Sequence, residues 1–226
     1  MGDAELRFAW IAALALITLI ASKPATAELA LDLLDAPVAY SADFTLSGPR
    51  GTYHGKVWHA KGRERRDVAT SGGGQGLLIQ RESGMAYLLG LSGRWYVGLS
   101  LKAAGAFAGG LDNWTVVRTK AGEDNVAGIR ATRWKVRADG PKGGFSGHVW
   151  ISRDGIVVKA AGVVDKADGD DQVVEMVLSG LKVGSVDARM LDVPQGWFGL
   201  DLRKLPPERV EQAIEAAKPL LEGGRQ

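Results

Sequence analysis

The chain has 226 residues, of which 46% are hydrophobic and 24% charged, with a formal net charge of +2 and no cysteine. Without cysteine it cannot be a disulfide scaffold, a cysteine-ligated zinc module or a thiol enzyme. The balanced charge argues against a dedicated nucleic-acid-binding protein, and the apolar content argues against a disordered chain. The 31 glycines, nearly twice the usual share, favour many turns over a helical bundle.

The N-terminus has the features of an export signal. Residues 8–21 form an apolar run that is shorter than the roughly 20 residues needed to span a bilayer. Ala25, Thr26 and Ala27 then supply the small-x-small pattern that signal peptidase recognises. We therefore predict a signal peptide over 1–27, cleaved after Ala27, and a periplasmic mature protein. An uncleaved short membrane anchor is the alternative, and the absence of cysteine excludes a lipid anchor at a cysteine.

Strand-like alternation of apolar and polar residues recurs along the mature chain. The predicted strands cover 40–46, 52–60, 63–69, 77–81, 85–91, 94–101, 114–120, 130–138, 147–153, 156–164 and 172–182. Short glycine-containing turns separate several of them, and Asp154-Gly155 predicts a type I′ hairpin turn. About ten strands at this spacing indicate a mainly β protein, an antiparallel barrel or sandwich in a single domain.

The two ends of the mature chain are less strand-like. A short helix is predicted over 28–34, and 103–110 has no clear period. After Pro206-Pro207, a C-terminal helix is predicted. Its apolar stripe consists of Val210, Ala213, Ile214 and Ala217. We thus expect a β domain over 28–203 and an amphipathic helix and tail over 204–226. That helix either covers an apolar edge of its own domain or binds a partner.

No catalytic constellation is present in the sequence. His54 and His59 are five residues apart, so on a strand they face opposite sides and do not share a metal ion. The basic run 61–66 contains Glu64 and is interpreted as a charged strand face. No metal-binding motif and no nucleophile motif occurs. We expect no catalytic residues, no metal, no cofactor and no nucleic-acid partner, and an enzyme is the least favoured class.

The aromatic residues are the most distinctive part of the composition. Six tryptophans remain after the predicted cleavage, namely Trp58, Trp95, Trp114, Trp134, Trp150 and Trp197. Tryptophan and tyrosine combine a large apolar body with one polar group, which suits either a packed core or an apolar ligand cavity. The residue pattern alone leaves both interpretations open.

Several stretches resemble one known family. Residues 40–46 (YSADFTL) resemble its opening hydrophobic-x-A-x-F-T strand, and 55–61 (GKVWHAK) resemble the following G-x-L-W-V-K-R strand. Residues 149–156 (VWISRDGI) resemble its Asp-Gly hairpin, 184–197 (GSVDARMLDVPQGW) its closing strand and Pro-x-Gly, and 122–136 its G-x-E-x-V-x-G run. Over about residues 33–202 the chain thus resembles the LolA/LolB-like superfamily of periplasmic outer-membrane lipoprotein carriers.

This resemblance implies a single curved antiparallel sheet, an incomplete barrel, with short helices over its open face and an acyl-binding cavity between them. In the carriers, an arginine at the end of the second strand governs opening of the cavity, and Lys61 occupies the aligned position here. Lysine cannot form the forked hydrogen bonds of arginine. The carriers also have a longer lid than 103–110, which implies a more open cavity or a different ligand.

Our leading hypothesis is a periplasmic carrier that holds acyl chains of a lipid or lipoprotein. Each buried methylene contributes about 0.8 kcal/mol, so one chain suffices for useful affinity. The expected ligand-binding residues are Tyr40, Phe44, Val57, Trp58, Lys61, Met85, Tyr87, Trp95, Trp134, Trp150 and Met176. A partner protein at the inner or outer membrane would complete the exchange. The alternative is a non-transport envelope module of the same fold that senses or stabilises through protein contacts.

Overall fold

The computed structural model describes residues 28–29, 35–70, 73–107, 114–140, 143–166, 169, 171–205, 209 and 212–213. Its strands are β1 (Glu28–Leu29), β2 (Tyr40–Gly48), β3 (Gly51–Ala60), β4 (Arg63–Val68), β5 (Gln75–Gln80), β6 (Met85–Gly90), β7 (Trp95–Ser100), β8 (Thr115–Val126), β9 (Ile129–Gly140), β10 (Gly143–Ser152), β11 (Val157–Lys166), β12 (Gln172–Val183) and β13 (Phe198–Asp201). Helix α1 covers Leu101–Phe107, and a 3₁₀ helix covers Ala188–Leu191.

In the described residues, all thirteen strands belong to one curved sheet that does not close. Their order is β1-β8-β9-β10-β11-β12-β2-β3-β4-β5-β6-β7-β13. Neighbouring strands are antiparallel except β13, which pairs with β7 in parallel. The expectation of a mainly β, open, curved sheet is confirmed. The sheet has thirteen strands where about ten were expected, and its β13 edge is parallel where an antiparallel sheet was expected.

The departures lie at the ends of the sheet and in its turns. Glu28 and Leu29 form a strand paired with Val116 and Thr115, where a helix was expected. The small residues after β7 form helix α1, and the chain after β12 forms the 3₁₀ helix before β13. The predicted signal peptide over 1–27 lies outside the described residues. Of the predicted C-terminal helix, Arg209, Gln212 and Ala213 are described, and all three are helical.

A two-residue hairpin turn joins β8 to β9, at Ala127 and Gly128. Both residues have positive φ, at 49° and 86°, as a type I′ turn requires. The expected type I′ turn at Asp154-Gly155 is wrong, because only Gly155 has positive φ there. Its amide donates to the Ser152 carbonyl at 3.1 Å, which gives a three-residue loop ending in a left-handed glycine.

The period of two divides the side chains between two faces of the sheet. Along β2, Tyr40, Ala42, Phe44 and Leu46 are buried on one face, which we call the Phe44 face. Cross-strand pairing continues this face to Val57 on β3, Leu178 on β12, Val149 on β10 and Val97 on β7. The opposite face, the Trp58 face, begins with Ser41 and Trp58, which also pair.

Buried apolar residues form two separate clusters. The first cluster comes mainly from β2, β3 and β8–β12. Its buried members include Tyr40, Phe44, Val57, Val136, Val149, Val158, Met176 and Leu178. The second cluster contains Val97, Leu99, Ala103 and Leu202, with Trp95, Leu200, Leu205 and Ala213 packed against it. Helix α1 and the C-terminal residues therefore cover the Phe44 face at the β7 end of the sheet.

Aromatic rings pack onto glycines of neighbouring strands. The Phe44 ring lies over Gly55, that of Trp95 over Gly90 and that of Trp114 over Gly140. A Cβ atom at any of the three glycines would overlap the ring. The glycine excess is thus only partly explained by turns, because these glycines lie inside strands where they admit large neighbours.

Candidate functional site

The Phe44 face brings together six of the residues expected to bind ligand. Five of them belong to the first cluster or pack against it: Tyr40, Phe44, Val57, Trp134 and Met176. The sixth, Trp95, packs against the second cluster on the same face. These residues come from β2, β3, β7, β9 and β12, so the curvature of the sheet positions them rather than any local sequence motif.

The other expected residues lie elsewhere, although Trp150 packs against the first cluster. The register places Trp58, Met85, Tyr87 and Trp150 on the Trp58 face. Trp58 follows Val57 directly, and neighbouring residues of a strand point to opposite faces. The Trp150 indole donates to Asp124 at 2.7 Å. Lys61 is exposed in the turn between β3 and β4.

Charged side chains cross the Phe44 face at β3 and β4. We call the group of Asp35, Tyr40, His59, Glu64 and Arg66 the His59 cluster. His59 Nδ1 lies 3.2 Å from Glu64 Oε2, and Arg66 Nε donates to Glu64 Oε1 at 2.8 Å. The side chains of His59, Arg66 and Glu64 are 2%, 5% and 11% exposed. An ionic chain therefore lies within an otherwise largely apolar surface.

Both ring nitrogens of His59 have polar partners, and an aromatic ring stacks on one face of the imidazole. Its Nε2 lies 3.0 Å from the Ala36 carbonyl oxygen and 3.7 Å from Asp35 Oδ1. The Tyr40 ring stacks on it with the ring centroids 5.0 Å apart. A carbonyl oxygen and an ionised carboxylate only accept hydrogen bonds, so both ring nitrogens must donate, which requires the charged imidazolium.

The electrostatics agree with this assignment. Burial alone lowers the pKa of His59, but the Glu64 carboxylate, the Ala36 carbonyl and Asp35 together raise it above its ordinary value. Burial raises the pKa of Glu64, but Arg66 and His59 outweigh it and hold that pKa below its ordinary value. Burial raises the pKa of the Tyr40 hydroxyl, which keeps the stacked ring neutral.

This cluster was not found from the sequence. The run 61–66 was expected to form a charged strand face, but Arg65 and Arg66 are both buried, one on each face. On the Trp58 face, Arg65 forms a two-pronged ion pair with Asp67 at 2.8 Å. The available signal was the spacing of two between Glu64 and Arg66. The expectation that His54 and His59 face opposite sides is confirmed, since His54 pairs with Thr45 and His59 with Tyr40.

The Trp58 face is partly covered by the chain after β12. Gln80 Nε2 donates to the Leu191 carbonyl at 3.0 Å, and Arg63 contacts Asp192 at 3.0 Å. Further along the sheet this face is polar, with Lys56, Asp43 and Glu175 at its surface. Among the described residues no three histidines or acidic groups converge to hold a metal ion. No described helix is long and apolar enough to cross a membrane.

No protein-family profile and no curated protein sequence matches the chain. Among solved structures it is similar to an uncharacterized conserved protein of Thermus thermophilus, with 12% identity over 73% of this chain and 91% of that one, and a TM-score of 0.49. It is also similar to the MucA/MucB complex of Pseudomonas aeruginosa, with 15% identity over 84% and 60% of the chains and a TM-score of 0.42. The LolA superfamily protein NE2245 of Nitrosomonas europaea matches with 10% identity over 81% and 97% of the chains and a TM-score of 0.38.

The similar structures thus include a member of the superfamily that the sequence motifs indicate. The identities lie below 25% and the TM-scores below 0.5. These similarities consequently assign no activity, ligand or partner to this chain.

Proposed function

We propose that the protein is a periplasmic carrier that binds acyl chains of a lipid or lipoprotein on the Phe44 face. The main support is the extent of this face, which carries apolar side chains from β8 through β12 and β2 to β7 on a sheet that does not close. An apolar surface of this extent supports reversible burial of an apolar ligand.

The division into two apolar clusters is the second support. Helix α1 and the C-terminal residues cover one part of the Phe44 face through Ala103, Leu202 and Ala213. Such a small cover can move away from the sheet at lower cost than a strand in its centre. Binding and release of an acyl chain would then require movement of this cover and no chemical step.

Contact quenching of tryptophan fluorescence tests the proposal. Single-tryptophan variants of the full chain keep Trp134 or Trp95 on the Phe44 face, or Trp58 on the opposite face, with phenylalanine at the other tryptophan positions. Brominated fatty acid is the probe, because bromine quenches tryptophan only near contact. We expect saturable quenching of Trp134 and Trp95 and none of Trp58. Equal quenching on both faces, or none on either, would contradict acyl binding on this face.

The alternative is a non-transport module that binds an envelope protein. The observation in its favour is Phe198, which is 61% exposed on the edge strand β13. A photoreactive amino acid placed at Phe198 would crosslink such a partner in living cells, while the quenching experiment would give no signal. Quenching on the Phe44 face without a crosslink would favour the carrier.

A further inference from the structure

The chain entering β2 is fastened to the end of the β3–β4 hairpin by few contacts. We call residues 35–39 the entry segment. The Gly62 amide donates to Asp35 Oδ1 at 2.6 Å, and the Ala36 carbonyl lies 3.0 Å from His59 Nε2. At its other end, the Ala39 carbonyl accepts from the Gly184 amide at 2.9 Å. Ala36 itself is buried against the first cluster.

His59 is the titratable member of these contacts. It donates from Nδ1 toward Glu64 and from Nε2 toward Ala36, and it can do both only while protonated. The neutral ring keeps one proton, which the carboxylate holds more strongly than the carbonyl does. The lone pair on Nε2 then faces the lone pairs of the Ala36 oxygen. Loss of one proton thus replaces an attraction by a repulsion at the entry segment.

We propose that His59 is a pH-sensitive latch, which holds the entry segment against the Phe44 face when protonated and releases it when neutral. The groups that face the ring are Asp35 from the entry segment, Tyr40 from β2, and Glu64 and Arg66 from β4. The two carboxylates favour the charged ring and the guanidinium opposes it. Burial opposes the charged ring, but the carboxylates and the Ala36 carbonyl outweigh it and raise the pKa of His59, so the latch is closed below the His59 titration and opens as the pH rises through it.

Release of the entry segment would uncover the adjoining part of the first cluster. This consequence for acyl exchange rests on the proposed function, whereas the latch itself does not. The two can therefore fail separately. If exchange of the Gly62 and Gly184 amides follows the His59 titration while brominated fatty acid quenches no tryptophan, the latch is supported and the carrier function is not.

Amide hydrogen exchange in the full chain tests the latch. The Gly62 and Gly184 amides report on docking of the entry segment, because they donate to Asp35 and Ala39. The Gly155 amide, which donates to Ser152 in a distant hairpin, is the internal reference. Side-chain NMR of histidine-labelled protein gives the titration midpoint of His59, which we expect above the value of about 6.5 for a free histidine.

As the pH rises, we expect the protection factors of Gly62 and Gly184 to fall about 10- to 100-fold, and the midpoint of this fall should coincide with that of the His59 titration. The protection factor of Gly155 should stay constant. This fall corresponds to loss of a hydrogen bond to a charged group. In His59→Gln protection should not vary with pH, and in His54→Gln, on the exposed side of the same strand, it should vary as in the wild type. If protection of Gly62 and Gly184 in the wild type stayed constant through the His59 titration, that result by itself would overturn the latch. A His59 titration midpoint below that of free histidine would also overturn it.

Discussion

Replacing Glu64 with glutamine removes the carboxylate that His59 and Arg66 share. The side chain keeps its size, so the change deletes a charge rather than packing. This carboxylate lies 3.2 Å from His59 Nδ1 and accepts from Arg66 Nε at 2.8 Å. A hydrogen bond to a charged group contributes about 1.5–3 kcal/mol, and breaking a buried ion pair costs about 3–5 kcal/mol. All three side chains are nearly inaccessible, so solvent screening is weak. We expect the free energy of unfolding to fall by about 3–5 kcal/mol.

The loss of unfolding free energy in Glu64→Gln should depend on pH, and the pKa shifts of His59 and Glu64 determine its direction. The pKa of His59 is raised in the folded state, so its contribution is fully present below the unfolded value and is lost as the pH rises through the folded value. The pKa of Glu64 is lowered, so its contribution is present above the unfolded value and is lost as the pH falls. Glu64→Gln should therefore cost most on the acidic side of the His59 titration and less on its alkaline side, where the carboxylate keeps Arg66 and a hydrogen bond from neutral His59 but no longer pairs with a charged ring.

Urea unfolding of the wild type and Glu64→Gln, at one pH on each side of the His59 titration, measures how the loss of stability depends on pH. Asp139→Asn is the matched control, because Asp139 pairs with Arg137 at 2.9 Å but both side chains are exposed. We expect no measurable change for the control. The reasoning would be refuted if the two variants lost the same stability, or if the cost of Glu64→Gln were the same on both sides of the His59 titration.

Two further substitutions test the packing and the turns. Gly55→Ala should lower the free energy of unfolding by about 1–3 kcal/mol, because its Cβ would overlap the Phe44 ring. Gly48→Ala is the control and should be neutral, since its Cβ would lie 3.8 Å from the nearest neighbouring atom. Urea unfolding compares the two variants, and equal losses of stability would contradict the packing argument. Ala127→Asn should gain about 0.5–1 kcal/mol, since asparagine tolerates the φ of 49° better than alanine, while Ala127→Val should lose stability. A thermal unfolding scan in which both Ala127 variants shift in the same direction would contradict the turn assignment.

The strands could be predicted from the sequence because one face of most of them is buried. Along β2 the apolar residues alternate strictly, and the observed strand, Tyr40–Gly48, extends the predicted one by only two residues. β13 was missed because Phe198–Asp201 is short, and the parallel partner that stabilises it lies about a hundred residues earlier. Long-range pairing of this kind leaves no periodic signal in so short a segment.

The sequence predicts the residue types of the Phe44 face, but not the division of the strands' residues between two faces and not the burial of the His59 cluster. Composition identified Phe44 and Trp134 as large apolar residues, but it did not distinguish the two faces, so Trp58 was grouped with them. Charge patterning suggested solvent around Glu64 and Arg66, because buried charges are rare. Their burial depends on His59 and the Ala36 carbonyl, which reach the same place only after the sheet has formed.

The aromatic rings that pack onto strand glycines have a magnetic consequence. At Gly55, Gly90 and Gly140, the α-hydrogen that takes the place of a side chain points at the ring of Phe44, Trp95 or Trp114. A proton this close to an aromatic ring is shifted by the ring current, upfield over the plane and downfield at the edge. The proton NMR spectrum of the folded protein should therefore contain glycine resonances far from their usual position, each assigned to one strand pair. Those signals would report the integrity of the first cluster, through Gly55 and Gly140, separately from that of the second, through Gly90.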